Sequence, residues 1–267
     1  MAARPQDMMR TIPYRPPAMR TLLALLLVAA SFTVDAAEAR RYAILSLIGD
    51  RLLISEYLPP ATPNGVESNT QNFLHLEDPS LEKTALVAVD EAIKKAVPAA
   101  KPVMLFAQDG RIYTAQEKVL DEGGNSLHML DYIRGLLMGQ DVTHLILVTK
   151  VRQPARLQVD RAQVGSGVLE GLGFYIDASL PIKDTTTGKT GLGFVAPFAY
   201  FKVTLVDLAN SKVVKEERVT GSTVVGWGQF TDTFNPWTDL PAERKVQLLQ
   251  GVIRAEVARV VPRIVRQ

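Results

Sequence analysis

The sequence contains no cysteine, which excludes disulfides, thiolate nucleophiles, zinc–cysteine sites and a lipid-carrying N-terminal cysteine. Only three histidines occur (His75, His128 and His144), and no two of them have the spacing of a metal-ligand motif. Positive and negative charges nearly cancel, at a formal net charge of +2, so no overall basic field indicates nucleic-acid binding. These absences favour a protein without a metal or cofactor.

The N-terminal segment has the layout of a secretory signal peptide. Arg10, Arg15 and Arg20 precede a short apolar run at residues 22–30 and supply a basic region, and Ala37-Glu38-Ala39 has the small-x-small form of a cleavage site. The run is well short of the ~20 residues that a membrane span needs, which disfavours the alternative of a membrane-anchoring helix. We predict cleavage near Ala39 and a periplasmic location. Met1, Met9 and Met19 are each possible translation starts.

Residues 40–267 are predicted to form a single α+β domain, with a mixed sheet and about three helices. The apolar, β-branched run within residues 143–151 is typical of a central strand that is buried on both faces. Other elements follow from periodicity and from breaking residues. They are an opening hairpin (42–48 with 51–57), a helix capped by Ser80 and stopped by Pro98, a buried strand (103–107), a helix (125–139), a hairpin (199–206 with 212–219) and an amphipathic helix from about 241 that ends before Pro262.

Three segments leave their structure or role open. Residues 111–119 suit either a strand or a loop. The glycine-rich stretch 165–173 superficially resembles a dinucleotide-binding loop, but its spacing and its flanking residues favour a bent edge strand or a mobile flap. Gly188-Lys189-Thr190 matches the tail of a phosphate-binding loop but lacks that loop's first glycine, and we interpret it as a polar turn.

Serine chemistry has little support in the sequence. Gly49-Asp50-Arg51 follows an apolar strand, as the nucleophile motif of some esterases does, but arginine stands where the serine nucleophile is required. We interpret this segment as a turn. A catalytic site assembled from distant Ser, His and Asp residues remains an alternative, with Ser46, Ser55 and Ser166 as the serines.

The segment 226–237 is the most distinctive polar and aromatic cluster. It holds both tryptophans, and Trp227, Phe230, Phe234 and Trp237 are candidate partner-binding residues because rigid aromatic side chains give contact area at low entropic cost. The alternative is that these rings pack into the core beneath the last helix. The basic residues of that helix are predicted to be solvated, with peripheral contact to an anionic membrane as the alternative.

Two stretches carry a family resemblance. Leu145-Ile146-Leu147-Val148-Thr149 after a helix, followed by the hairpin Val203 to Val214, resembles the order of elements in curli-secretion-channel and TolB amino-terminal-like envelope modules. That group begins with a single strand and an acylated cysteine, whereas this chain is predicted to begin with a hairpin. The resemblance implies an α+β envelope module that binds other proteins.

The sequence therefore favours a non-catalytic binding or assembly accessory of the bacterial cell envelope, with an envelope protein or a cell-wall component as its partner. Two alternatives are kept. One is an envelope hydrolase with a site built from distant residues, and the other is a small-ligand carrier that uses the 165–173 stretch as a flap.

Overall fold

The computed structural model describes residues 40–60, 62, 68–107, 110–122, 127–159, 162–183, 188, 190–226 and 237–266. Arg40–Gln267 forms one compact unit. None of the helices in this described part combines the length and apolar character that a membrane span requires.

The described residues form four helices and twelve strands. The helices are α1 (Ser80–Ala96), α2 (Gly110–Glu122), α3 (Leu127–Leu136) and α4 (Ala242–Val265). The strands are β1 (Tyr42–Ser46), β2 (Arg51–Leu58), β3 (Ser68–His75), β4 (Val103–Leu105), β5 (His144–Lys150), β6 (Arg152–Pro154), β7 (Leu157–Val159), β8 (Ala162–Val164), β9 (Val168–Lys183), β10 (Thr190–Asp207), β11 (Lys212–Ser222) and β12 (Val225–Gly226).

The main sheet is organised around β10, its longest strand. β5 pairs antiparallel with residues 201–207 of β10, and β9 pairs antiparallel with residues 190–200. β11 occupies the opposite side of β10, so β5 and β9 lie end to end along one side. β1 runs parallel to β5, and β2 runs parallel to β9, which makes a second row of two strands end to end. β4 and β3 flank this second row.

The predicted opening hairpin is therefore wrong. β1 and β2 run in the same direction, because each is antiparallel to β10 through its neighbour, and they do not pair with each other. The Leu47 N–H donates to the Val148 carbonyl at 2.9 Å, which continues the β1–β5 ladder into the connection. Gly49-Asp50 is thus an interruption between two successive strands. Within the described residues, the first antiparallel pair of consecutive strands is β2–β3.

Helices α1 and α4 cover one face of the sheet. Leu86 and Val89 of α1 and Val257 of α4 are fully buried in one apolar cluster with Phe174 of β9 and Val203 of β10. Removing this much apolar surface from water is the dominant stabilising term for such a domain.

The opposite face has two separate covers. Helices α2 and α3 cover the half that contains β1 and β5, where Ile112 and Ile133 pack against Leu45 and Leu147. The β7–β8 hairpin covers the other half, where Leu157 is fully buried in a cluster with the β10 aromatics. The place where the paired strands meet end to end therefore lies between these two covers.

The α+β class and the mixed sheet are confirmed. β5 lies in the middle row of the sheet, as predicted for the central strand, and Leu145–Lys150 is buried throughout. The predicted hairpin in the C-terminal half is confirmed as β10–β11. Helix α1 ends at Ala96, shortly before Pro98, as expected.

Other boundaries and environments differ from expectation. Ser80 is the first residue of α1 and not its cap, because Pro79 occupies the N-cap position; the Asp78 carboxylate accepts a hydrogen bond from the Ser80 N–H at 2.8 Å. Helix α4 continues past Pro262 to Val265, since the proline loses only one intrahelical hydrogen bond and Ile264 and Val265 remain buried. Residues 111–119 are neither strand nor loop and belong to α2, whose Ile112 packs into the core.

Two predictions about burial are reversed. The strand predicted as buried, β4, lies at the sheet edge, and Val103 and Met104 are 41% and 42% exposed. The glycine-rich stretch, predicted as an edge strand or a flap, enters the interior strand β9, which is paired on both sides with β2 and β10. Gly173 there allows the close approach of the neighbouring strand β2, which weakens the case for a ligand-binding flap.

Candidate functional site

Six charged residues form a chain of ion pairs where the end-to-end strands meet, and we call this chain the junction network. In order of contact they are Asp50, Lys150, Glu117, Arg51, Glu170 and Arg152. Acidic and basic groups alternate, so three negative charges balance three positive ones. The backbone supplies the arrangement, because four of these residues stand at strand ends or between strands, Glu170 lies near the start of β9, and Glu117 reaches them from α2.

Lys150 is the most deeply buried cation of the network. Its side chain is 1% exposed, and its ammonium group lies 2.7 Å from Asp50 Oδ1 and 2.9 Å from Glu117 Oε1. Arg51 then joins Glu117 at 2.5 Å to Glu170 at 2.8 Å, and Glu170 is also bound by Arg152. Lys150 and Glu170 are charges buried away from water, and such charges require close partners of opposite sign, which both have.

The Gln116 side chain satisfies two backbone groups beside the junction network. Its side-chain N–H donates to the Leu47 carbonyl at 2.8 Å, and its carbonyl accepts from the Lys150 N–H at 2.9 Å. The side chain thereby stands in for a stretch of strand where the ladder is interrupted. Together with Glu117, it fixes α2 over the junction.

A buried carboxyl group lies next to the network. Glu82, at the start of α1, is 4% exposed and accepts a hydrogen bond from the Gly49 N–H at 2.7 Å. Burial raises the pKa of the Glu82 carboxyl above its ordinary value, and the charge of Asp50 adds to this, against the opposing effects of the Ser46 hydroxyl and the Gly49 N–H. The pKa of Tyr113 is raised by burial and by the same two carboxylates.

We expect Glu82→Gln to make stability less dependent on pH. Because the folded carboxyl holds its proton more tightly than the unfolded one, the free energy of unfolding of the wild type falls as pH rises from 4.5 towards the raised pKa. Glutamine cannot titrate and keeps an acceptor for the Gly49 N–H, so at neutral pH its stability should be within about 1 kcal/mol of wild type or higher. Urea unfolding at acidic and neutral pH measures the difference. If the free energy of unfolding depends on pH equally in both proteins, the pKa of Glu82 is not raised by folding.

An apolar surface surrounds the free edge of β4, and we call it the edge surface. Its members are large apolar side chains on β4, in the segment after it and on or just after α3. They are Val103, Met104, Phe106, Tyr132, Leu136 and Met138, with exposed fractions from 37% to 81%. A pocket of about 400 Å³, lined by residues that include Leu105, Phe106 and Tyr132, opens within it. Scattered exposed apolar residues are ordinary, but Phe106, Tyr132 and Leu136 line one pocket together, and such a group marks a candidate interaction surface.

A second concave site, the junction cleft, lies between the two covers of the sheet and beside the junction network. Its volume is about 240 Å³. Its basic and hydroxyl-bearing lining residues are Lys150, Arg152, Lys202, Arg218, Thr149 and Thr204. Its apolar lining includes Val119, Leu120, Met129, Leu130 and Leu147. None of the described residues that line the cleft is acidic.

Of the four predicted partner-binding aromatics, Trp227, Phe230 and Phe234 lie outside the described residues. Trp237 is half-buried just before α4. Its ring meets Phe174 edge-on at a centroid distance of 5.3 Å, and the Lys245 ammonium group lies 3.8 Å from its centroid. These contacts correspond to the alternative in which the rings pack against the core. The role of this segment in partner recognition stays a prediction.

Three other candidates from the sequence, His144, Ser55 and Ser166, lie within hydrogen-bond distance of neighbouring polar side chains. His144 lies 2.8 Å from the Thr143 hydroxyl, and burial lowers the pKa of its imidazole. Ser55 and Ser166 both bond to the Asn69 side chain. Within the described part of the chain, no three His, Asp or Glu side chains are grouped to hold a metal ion.

No sequence motif predicts the junction network. The signal that could have found it is the position of its residues, since Asp50, Arg51, Lys150 and Arg152 directly follow or separate apolar strands. Charged groups at the ends of buried strands require ion-pair or hydrogen-bond partners. Which charges meet depends on β1–β2 and β5–β9 lying end to end, whereas the local sequence pattern favours a different pairing of β1 and β2.

The chain was compared with known proteins. No protein-family model matches it, and no curated protein does. Among solved structures, the PelC dodecamer from Paraburkholderia phytofirmans matches with a TM-score of 0.30 and 14% identity over 85% of this chain and 89% of that one. A point variant of the same dodecamer matches with a TM-score of 0.32 and 11% identity over 86% and 92%. At TM-scores this low the likeness carries no argument about function.

Proposed function

We propose that this protein is a non-catalytic assembly accessory of the bacterial cell envelope that binds a protein partner through the edge surface. The single observation that carries the proposal is the combination of β4, whose outer edge pairs with no described strand, with the exposed apolar side chains around it. The assignment to the envelope rests on the predicted signal peptide and on the resemblance to envelope modules.

The outer edge of β4 differs in composition from the opposite edge of the sheet, which is formed by β11. On one side β4 pairs with β1, and on the other no described strand pairs with it. The edge strand β11 carries charged residues such as Lys215, Glu216 and Glu217, which discourage pairing with a foreign strand. β4 instead reads Val-Met-Leu and is followed by the exposed Phe106. Its outer backbone groups pair with no described strand, and apolar side chains flank them.

An extended segment of a partner protein is the occupant that fits this geometry. Its backbone would continue the sheet beside β4, and one of its apolar side chains would enter the pocket between Phe106 and Tyr132. Strand addition of this kind takes affinity from backbone hydrogen bonds and specificity from such pockets. The proposed partner is an envelope protein, and a cell-wall component is the competing outcome of the test.

Photocrosslinking in the intact envelope tests the proposal. A photoreactive amino acid at position 104 or 106 is expected to give one discrete adduct with a single envelope protein, identified by mass spectrometry. Positions 73 and 214 provide controls, because Phe73 and Val214 are exposed apolar residues on other strands. Met104→Lys, combined with the photoreactive group at 106, should reduce the adduct at least about tenfold, as expected for a buried contact residue.

Three outcomes would overturn this function. Adducts of equal yield from positions 73 and 214 would show that the surface has no selectivity. An adduct with twice the mass of the protein would assign the edge surface to a second copy of the chain. A crosslink to glycan, with no protein attached, would assign the surface to a cell-wall component.

A further inference from the structure

We propose that the junction cleft binds a small amphipathic oxyanion, a molecule that carries a phosphate or carboxylate group and an apolar body. The inference concerns a site separate from the edge surface and does not depend on the proposed function.

Among the described residues around the cleft, one cation has no acidic partner. Lys150 and Arg152 are paired with acidic groups of the junction network, and Lys202 lies 3.2 Å from Glu216. Arg218 makes no ion pair with any described residue. Of the four cationic lining residues, Arg218 therefore supplies the excess positive charge, and none of the described lining residues is acidic.

The sheet register places the unpaired cation next to a like charge. Arg218 of β11 stands directly opposite Lys202 of β10, and Lys202 stands opposite Thr149 of β5, so the three side chains form a row across the sheet. Like charges at directly opposed positions of adjacent strands destabilise a sheet. An oxyanion seated between Lys202 and Arg218 would replace this repulsion with two charge-assisted hydrogen bonds. The buried hydroxyls of Thr149 and Thr204 supply further donors.

The side of the cleft opposite this row is apolar and would contact the apolar part of the ligand. Val119 and Leu120 of α2 and Met129 and Leu130 of α3 line the cleft on the helical side. The volume of about 240 Å³ lies just below the usual range for ligand pockets, which indicates a small ligand. A free inorganic anion would leave this apolar wall against water, so the site favours a molecule that carries both groups.

Calorimetric titration of the full chain with three probes tests the inference. Phenyl phosphate is expected to bind more tightly than inorganic phosphate, which lacks the apolar body, and more tightly than phenol, which lacks the oxyanion. Its affinity should fall as ionic strength rises. Arg218→Gln should raise the Kd for phenyl phosphate about tenfold, the loss of one charge-assisted hydrogen bond. Lys212→Gln, a cation on the same strand but outside the cleft, should leave the Kd within about twofold.

Several results would overturn the proposal. One is the absence of heat of binding for phenyl phosphate at millimolar concentration. Another is an equal loss of affinity in the Arg218→Gln and Lys212→Gln variants, which would indicate a diffuse charge effect. Equal affinity for phenyl phosphate and phenol would show that the oxyanion does not contribute to binding.

Two controls accompany the titration. Arg218 is exposed, and circular dichroism of the Arg218→Gln variant checks that the fold is retained. Met104→Lys should bind phenyl phosphate normally, which separates this site from the edge surface.

Discussion

Lys150→Met is expected to lower the free energy of unfolding by about 3–5 kcal/mol. The ammonium group is 1% exposed and is the shared partner of Asp50 and Glu117. Methionine fills a similar volume but leaves both carboxylates next to each other without their central cation. Removing one partner of a buried ion pair costs much more than the pair contributes, because the remaining charge stays desolvated. Urea unfolding at neutral pH, followed by circular dichroism, measures the change.

Two further variants test whether the loss of stability comes from the buried charges or simply from replacing a lysine. Lys94→Met removes a lysine that lies 2.8 Å from Asp90, but this lysine is 54% exposed, so its loss should cost less than about 0.5 kcal/mol. The triple variant Lys150→Met with Asp50→Asn and Glu117→Gln removes the charges together and should recover most of the stability. If Lys150→Met and Lys94→Met cost the same, the junction network does not depend on a buried cation.

The sequence was sufficient to predict the parts of the fold that rest on local periodicity. Leu145–Val148 is apolar at every position, and burial on both faces is the environment that such a run requires. The β10–β11 hairpin and helix α1 also follow from patterns within about twenty residues. In each of these cases the residues that define the element also contact one another, so the pattern and the structure carry the same information.

The pairing of β1 and β2 could not be obtained in this way. Two apolar runs separated by Gly49-Asp50 satisfy the local pattern of a hairpin and equally that of one long, interrupted row. The arrangement of β1 and β2 depends on their pairing with β5 and β9, which both pair with β10. These strands lie about a hundred or more residues further along the chain. The junction network depends on that choice, since Lys150 meets Asp50 only when β1 and β5 end at the same place.

The edge surface escaped prediction for a related reason. Val103-Met104-Leu105 has the composition of a buried strand, and only the sheet order places it at an edge. Apolar residues that a pattern assigns to the core but that the fold exposes are informative about function, because a free apolar edge is costly unless it is covered. The same comparison weakens the case for the 165–173 flap, since Gly173 lies between two paired strands.

Gly173→Ala is expected to destabilise the protein by at least about 3 kcal/mol, at the upper end of the cost of overpacking a core. A Cβ atom on this residue would lie 2.6 Å from Phe198 Cζ and closer still to the Leu53 carbonyl oxygen of the adjacent strand β2. The phenyl ring could rotate away, but the carbonyl belongs to the backbone of a paired strand and cannot move without breaking the ladder. The free energy of unfolding from urea denaturation, compared with that of wild type, measures the effect.

Gly251→Ala is the matched control, because it makes the same chemical change where there is space. Gly251 lies in α4 and is exposed, and a Cβ atom on it would meet no neighbouring atom within 4 Å. Alanine there should raise the free energy of unfolding by about 0.8–1 kcal/mol through its better helix propensity. Opposite signs for the two variants would establish that Gly173 is required for the close approach of β2 and β9. A tolerated alanine at 173 would instead return the glycine-rich stretch to the status of a mobile segment and reopen the ligand-carrier alternative.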